Sequence, residues 1–180
     1  MLNLISDILD LSKIESGTVT VEAEEILFSN LMDMVTRPFR HEAETRKLSF
    51  DVHVDSNLGR SLVTDSKRLQ QVLKNLLSNA FKFTPPGGTV RLSLAKEPLA
   101  DDPERAPATA VIEVRDNGSG IASEHLPHLF ESCYRVLGQF IRKGTGIGLS
   151  LAREKAELHG GAKDVNSDEG IGNLFSFRLP

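Results

Sequence analysis

Hydrophobic residues along this chain recur with two periods, and the changes of period mark its elements. Residues 1–16, MLNLISDILDLSKIES, place Leu4, Ile8, Leu11 and Glu15 on one helical row and Leu2, Ile5 and Leu9 on the next. That broad apolar stripe predicts a helix of at least four turns, ended by Gly17. The stripe is already running at its first residue without a cap, so it reads as the end of a longer helix. TVTVEAEEILF (18–28) alternates like a strand at its start, and 29–46 reads as a helix. LSFDVHV (48–54) alternates with period two, and SLVT (61–64) is a short apolar run; both predict strands. Asp65 then caps a strong helix over 66–83, with Leu69, Val72, Leu73, Leu76, Leu77 and Ala80 on its buried side.

TPPGG (84–88) is a turn and TVRLSLA (89–95) a strand. AVIEVRDNGSGI (110–121) is a strand that runs into a glycine-rich turn, and the proline-rich, acidic stretch 96–109 before it reads as a mobile hairpin insertion. Periodicity then fades. Residues 122–143 are polar and irregular, with one short helix near 123–131. A helix over 147–159 ends at Gly160–Gly161, and NLFSFRLP (173–180) closes as a strand. No internal repeat is present. Helices and strands mix without strict βαβ alternation, which predicts an α+β sandwich with a mixed sheet.

Composition narrows the class further. The 180 residues suffice for one well-cored domain with a short appendage, and 39% hydrophobic with 26% charged residues is an ordinary globular balance. A net charge of −4 gives no global electrostatic support to a nucleic-acid partner. No apolar run approaches the roughly 20 residues of a membrane helix, and no signal peptide is visible. The single cysteine, Cys133, excludes an internal disulfide and reads as a buried free thiol in a reducing compartment. The expectation is a cytoplasmic domain, with membrane attachment of the parent protein left open.

Three stretches carry candidate chemistry. In KGTGIGLSLA (143–152), Gly144, Gly146 and Gly148 alternate and then feed a helix. No Lys follows Gly148 as a Walker loop requires, and the spacing is not that of a dinucleotide fingerprint. What survives is a loop leading to a helix N-terminus that can hold phosphate, or a plain loop-to-helix turn. In DNGSG (116–120), Asp116 reads either as a turn-former or as an acceptor for an amino group in a pocket, with Gly118 and Gly120 permitting close approach. In the helix over 66–83, Asn75, Asn79 and Lys82 fall at i, i+4 and i+7 on one face. Two asparagines and a lysine suit metal-bound phosphates better than the Glu and Lys of a solvated face.

Taken together and in order, these pieces resemble one family. DSKRLQQVLKNLLSNAFKFT (65–84) resembles the N box of sensor histidine kinases, DNGSGI (116–121) the first glycine box, LFESCYRV (129–136) the F box, and GTGIGLSLA (144–152) the second glycine box. The tail GIGNLFSFRLP (170–180) resembles the final strand motif, and LISDILDLSKIESG (4–17) the end of the second dimerisation helix. The resemblance implies a Bergerat-type ATP-binding domain over 18–180: a two-layer α/β sandwich whose mixed sheet packs against about three helices. Residues 1–17 would belong to the dimerisation and phosphotransfer helices, and 122–146 would form an ATP lid.

The resemblance also implies ATP and Mg²⁺ as cofactors. Asp116 would accept from the adenine amino group, with Gly118 and Gly120 beside it. Asn79 would coordinate Mg²⁺, and Lys82 would neutralise phosphate charge. Gly144, Thr145, Gly146, Gly148 and Leu149 would carry lid backbone onto the triphosphate, and Tyr134 and Arg135 would join them, Arg135 reaching the γ-phosphate. Hydrolysing relatives place a Glu one helical turn before the metal-binding Asn; here that position is Asn75, which lacks a basic carboxylate and so favours phosphotransfer over hydrolysis.

The phosphoacceptor histidine is absent. Of five histidines only His41 precedes a Glu, but it lies downstream of the dimerisation helix and lacks the following Pro. His125 and His128, three apart, have no third ligand nearby and read as exposed helix residues. The implied partners are a phosphoacceptor dimerisation domain, a receiver domain and a second copy in the full-length protein, with no nucleic acid. The DLSKIESG style and the final LP look like hybrid kinases. Departures from the family pattern are Ser132–Cys133 for the usual Pro–Phe, Asn173 for the usual Thr, and Lys163 and Asp164 at strand positions that are usually apolar. The expected function is the ATP-binding catalytic domain of a sensor histidine kinase. The alternatives are a degenerate kinase that only binds adenine nucleotide, and a gyrase-class ATPase.

Overall fold

The computed structural model describes residues 22–97, 109–131, 149 and 162–179. Strand β1 (Glu24–Leu27) lies within the 18–28 stretch, whose alternating start at 18–21 is outside the described residues. Helix α1 (Phe28–Arg46) follows. It stops at Lys47, a residue in the left-handed region at φ 55°, where the Lys47 and Leu48 N–H groups reach back to the Glu44 and Ala43 carbonyls. Those two bonds form a Schellman motif, and they turn Leu48 into the core. Strands β2 (Ser49–Val54) and β3 (Ser61–Thr64) come next, then helix α2 (Ser66–Phe83) with the predicted bounds.

Helix α2 is capped from within. Asp65 Oδ1 accepts from Arg68 N at 3.1 Å, and Asp65 Oδ2 also lies 3.0 Å from Arg68 Nε. At the other end Thr84 N and Oγ1 both donate to the Ala80 carbonyl. All six apolar positions expected on its inner face are buried, and Phe81 joins them. The Phe81 ring sits between Phe39, 5.1 Å away, and Phe50, 5.2 Å away and edge-on, which ties α1, α2 and β2 into one core.

Strand β4 (Thr89–Glu97) and strand β5 (Thr109–Asp116) flank the insertion, whose residues 98–108 lie outside the described residues. A short 3-10 helix (Ser123–His128) stands where a helix was expected near 123–131. Its tighter winding accommodates Pro127, which an α-helix interior resists. Strands β6 (Ala162–Asp168) and β7 (Gly172–Leu179) close the chain. The five-stranded sheet runs β2-β4-β5-β7-β6, parallel only between β2 and β4, while β1 and β3 form a separate antiparallel ribbon. One face of the sheet is lined by Val90, Leu92, Leu94, Ile112, Val114, Phe175 and Phe177, and α1 and α2 pack onto it. The expected mixed sheet under helices is what forms. Leu149 is helical and packs against the same core; the rest of the 147–159 helix lies outside the described residues, as does 1–17.

Candidate functional site

Helix α2 carries two kinds of residue toward the sheet. Leu76, Leu77, Ala80 and Phe81 are buried, whereas Asn75, Asn79 and Lys82 are half-buried. The i, i+4, i+7 spacing therefore sets a polar stripe along the border between core and solvent. The Lys82 ammonium lies 4.7 Å over the ring of Phe83, the last residue of the helix.

Asp116 ends β5 on the core face of the sheet, paired with Asn173 on β7. It is only 4% exposed. Its Oδ1 accepts from Gly118 N at 2.9 Å and from Asn173 Nδ2 at 3.0 Å, and its Oδ2 lies 3.2 Å from the same Nδ2. Burial raises the Asp116 carboxyl above its ordinary value; the Gly118 N–H, the Asn173 amide and the Asn173 backbone N–H pull it back only in part. No cation pairs with it in these contacts. A buried carboxylate met only by neutral donors keeps acceptor capacity for a ligand.

The turn after Asp116 is pinned by three elements. Thr89 N donates to Asn117 Oδ1 at 2.7 Å, Ser119 N to the Phe83 carbonyl at 3.4 Å, and Gly170 N to the Ser119 carbonyl at 2.8 Å. The end of α2, the start of β4 and the β6–β7 turn thus hold it together. Two glycines are obligatory here. Gly120 has φ +64°, and a Cβ on it would run into the Asp168 carbonyl; Gly172 has φ +139°, and a Cβ would strike the Asp116 carbonyl. At Gly118 a Cβ would stand 2.6 Å from the Phe83 carbonyl. The fold accordingly brings Asp116, Gly118 and Gly120 against the α2 terminus that carries Lys82, with Asn79 and Asn75 on preceding turns of the same face.

Other expected site residues are reached only in part. Tyr134, Arg135, Gly144, Thr145, Gly146 and Gly148 lie outside the described residues, as do Ser132 and Cys133. Leu149 is helical and half-buried. At the root of the expected lid, Leu129 is buried and the Phe130 ring lies 5.0 Å beneath the Lys163 ammonium. Lys163, noted in the sequence as an odd residue for its strand, therefore has a packing role against the root of that segment. Asp164 is exposed and accepts from its neighbour Val165 N at 2.9 Å. His128 is exposed and lies 2.8 Å from Glu131, His125 pairs with Glu124, and no group of three or more metal-binding side chains occurs among the described residues. His41 is exposed on α1.

Asn173 and Ser167 are the residues that sequence reasoning did not place in the site. Ser167 Oγ lies 2.7 Å from Asn173 Oδ1 and accepts from Ile121 N at 2.8 Å, so a chain of hydrogen bonds runs from Ile121 to Asp116. Asn173 was visible as a departure from the family's Thr, but its position opposite Asp116 is a matter of strand register. Nothing in the pattern around Ser167 marks it.

Comparison with known proteins agrees with this arrangement. Residues 64–180 match the family model described as histidine kinase-, DNA gyrase B-, and HSP90-like ATPase. Over its whole length the chain is 36% identical to the non-motile and phage-resistance protein of Caulobacter vibrioides and 35% identical to the circadian input-output histidine kinase CikA of Synechococcus elongatus. It is 33% identical to hybrid signal transduction histidine kinase B of Dictyostelium discoideum. The chain spans 21%, 23% and 9% of those three proteins respectively, which are multidomain relatives far longer than it. Among solved structures, full-length ShkA in complex with AMPPNP superposes with a TM-score of 0.82 at 26% identity, covering 99% of this chain and 35% of that one. The nucleotide-free catalytic domain of histidine kinase ThkA superposes at 0.69 with 25% identity, covering 88% of this chain and 95% of that one. The chain belongs to the histidine kinase-, DNA gyrase B-, and HSP90-like ATPase family, as an ATP-binding catalytic domain of the histidine kinase type.

Proposed function

We propose that this domain binds Mg–ATP between the α2 polar face and the turn after β5, and donates the γ-phosphoryl to a histidine on a dimerisation segment of its parent protein. The observation that carries the reading is Asp116, a carboxylate 4% exposed whose hydrogen-bond donors among the described residues are neutral, standing at the pinned glycine turn. An acceptor of that kind suits an exocyclic amino group. Gly118 donates to it, and the turn it opens reaches the end of α2, the helix whose last turn carries Lys82.

The polar stripe of α2 fits the rest of the nucleotide. Asn79 offers a neutral oxygen for Mg²⁺ and Lys82 a cation for phosphate oxygens, while Arg135 and the lid backbone at Gly144, Thr145, Gly146 and Gly148 would complete the phosphate contacts. Mg²⁺, when bound, neutralises charge on the phosphates and aligns them. Asn75 stands one turn before Asn79 and has no carboxylate to take a proton from water. The domain is thereby suited to hold ATP unhydrolysed until an imidazole nitrogen attacks the γ-phosphorus and ADP leaves. Catalysis is then mainly positioning and charge neutralisation. The parent protein would act as a dimer and pass the phosphoryl to a receiver aspartate, in line with the hybrid kinases among its relatives.

The test is calorimetric titration with ATP, with and without Mg²⁺, beside Asp116→Asn. The expected result is saturable, Mg²⁺-strengthened binding that weakens at least tenfold in the variant, the loss of one charge-assisted hydrogen bond being about 1.5–3 kcal/mol. Equal affinity of both proteins would remove Asp116 from the base site. Transfer of ³²P to an added acceptor domain then separates a working kinase from a domain that only binds nucleotide.

A further inference from the structure

Five large apolar side chains stand exposed among the described residues, and three of them, Val63, Leu27 and Met34, gather around the β1–β3 ribbon. In the ribbon Ile26 is buried and Leu62 packs on the core, so the alternate residues Glu25, Leu27, Ser61 and Val63 face outward. Register sets Val63 opposite Glu25 and Leu27 opposite Ser61. Val63 is 68% exposed and Leu27 46%. The two polar residues of this face are occupied with each other, Ser61 Oγ donating to Glu25 Oε1 at 2.5 Å. Met34 stands seven residues beyond Leu27, on the same side of α1. From the rise per residue in strand and helix, the surface from Val63 to Met34 is roughly 20 Å long at most.

The chain ahead of the ribbon needs such a surface. The apolar stripe predicted for residues 1–16 has two rows, about a third of a turn apart, and one flat partner covers only one of them. The row Leu2, Ile5, Leu9 continues at Lys13; the row Leu4, Ile8, Leu11 continues at Glu15. A helix of that length measures about 24 Å. The chain from Gly17 to Glu22 spans roughly 17 Å at most, so the end of such a helix is tethered beside the ribbon. We propose that this segment folds back over the ribbon of its own chain, with Leu9, Ile5 and Leu2 running from Val63 over Leu27 to Met34 and Lys13 beside Glu25. Charge selects the row, because the other would bring Glu15 against Glu25. The row Leu4, Ile8, Leu11 then stays open to the helices of a dimerisation domain. The inference concerns a surface away from the nucleotide site and does not depend on the nucleotide reading.

The test is amide hydrogen exchange of the whole chain, read on residues 4–16 at two widely different protein concentrations. A helix this short exchanges almost unprotected when nothing covers it. Wild type should instead be protected about tenfold or more, equally at both concentrations. Val63→Thr combined with Leu27→Ser should remove most of that protection and leave the β4–β5 amides as they were. Thr suits a strand, and Ser suits the N-cap of α1 that Leu27 occupies. Should the double variant unfold, as the β4–β5 amides would show, Met34→Gln on the α1 surface reads the same contact, with a loss of about two- to threefold. Lys13→Glu should lower protection about two- to threefold, and adding Glu25→Lys should restore it. Unprotected residues 4–16 in wild type overturn the proposal, and that arm needs no variant to fold. Protection indifferent to all these substitutions overturns it as well; if it also rises with concentration, a second copy covers the stripe instead.

Discussion

Helix α2 and the corner where β5 meets β7 both supply the site, but they place their residues by different physics. On α2, Asn75, Asn79 and Lys82 share a face because the helix repeats every 3.6 residues, and the cap at Asp65 and the stop at Thr84 are local hydrogen bonds. At the corner, Asp116 and Asn173 meet across 57 residues of chain because of sheet register, and Gly120 and Gly172 are required by a backbone that comes from elsewhere. A one-residue slip of β7 would turn Asn173 to the opposite face and leave Asp116 with a single side-chain-independent donor. Local order is robust and legible; register is demanding and depends on the whole sheet.

Substitutions break the comparison most sharply at the corner. Gly172→Ala forces a Cβ into the Asp116 carbonyl from a left-handed backbone, and should cost about 1–3 kcal/mol or more. Urea denaturation should show that loss, and ATP affinity should fall with it because Asp116 moves. Asp65→Ala should cost about 1 kcal/mol through the lost cap. Here the melting temperature should fall by several degrees while ATP affinity at low temperature is unchanged, since the α2 polar face lies two turns or more from the cap.

The smallest stability effect is the most informative about purpose. Because burial raises the Asp116 carboxyl above its unfolded value, the folded protein holds that proton more tightly than the unfolded chain. Asp116 therefore detracts from stability once pH rises above the unfolded value, and the penalty is complete above the folded value. Asp116→Asn should melt no lower than wild type at pH 7, with any gain vanishing in acid, while ATP binding is weakened. A variant that melts clearly lower at pH 7 would mean the carboxylate is structural. For wild type, ATP affinity should decline as the medium is acidified through the raised Asp116 value.

Several features were legible beforehand for a common reason. The bounds of α2, its six buried apolar positions, the period-two strands and the four ordered motifs all depend on residues close in sequence. The exceptions are instructive. The strand at Glu24–Leu27 pairs with Ser61–Thr64, a partner no local pattern reveals. The short helix expected near 123–131 forms as a 3-10 helix over Ser123–His128, with Pro127 inside it. Lys163 looked misplaced until Phe130 was found beneath it.

What the sequence by itself determined is the inventory: a charged and polar helix face, an aspartate before a glycine turn, an alternating glycine run, and the mixed-sheet class that frames them. These follow from spacing, capping and turn chemistry, which act over a few residues. Only the tertiary structure decided that Asp116 is buried with neutral donors at its carboxylate, that Gly172 has room for no side chain, and that Asn173 and Ser167 stand behind the carboxylate. Each of those depends on strands brought together from distant parts of the chain, where burial and register, not local preference, set the chemistry.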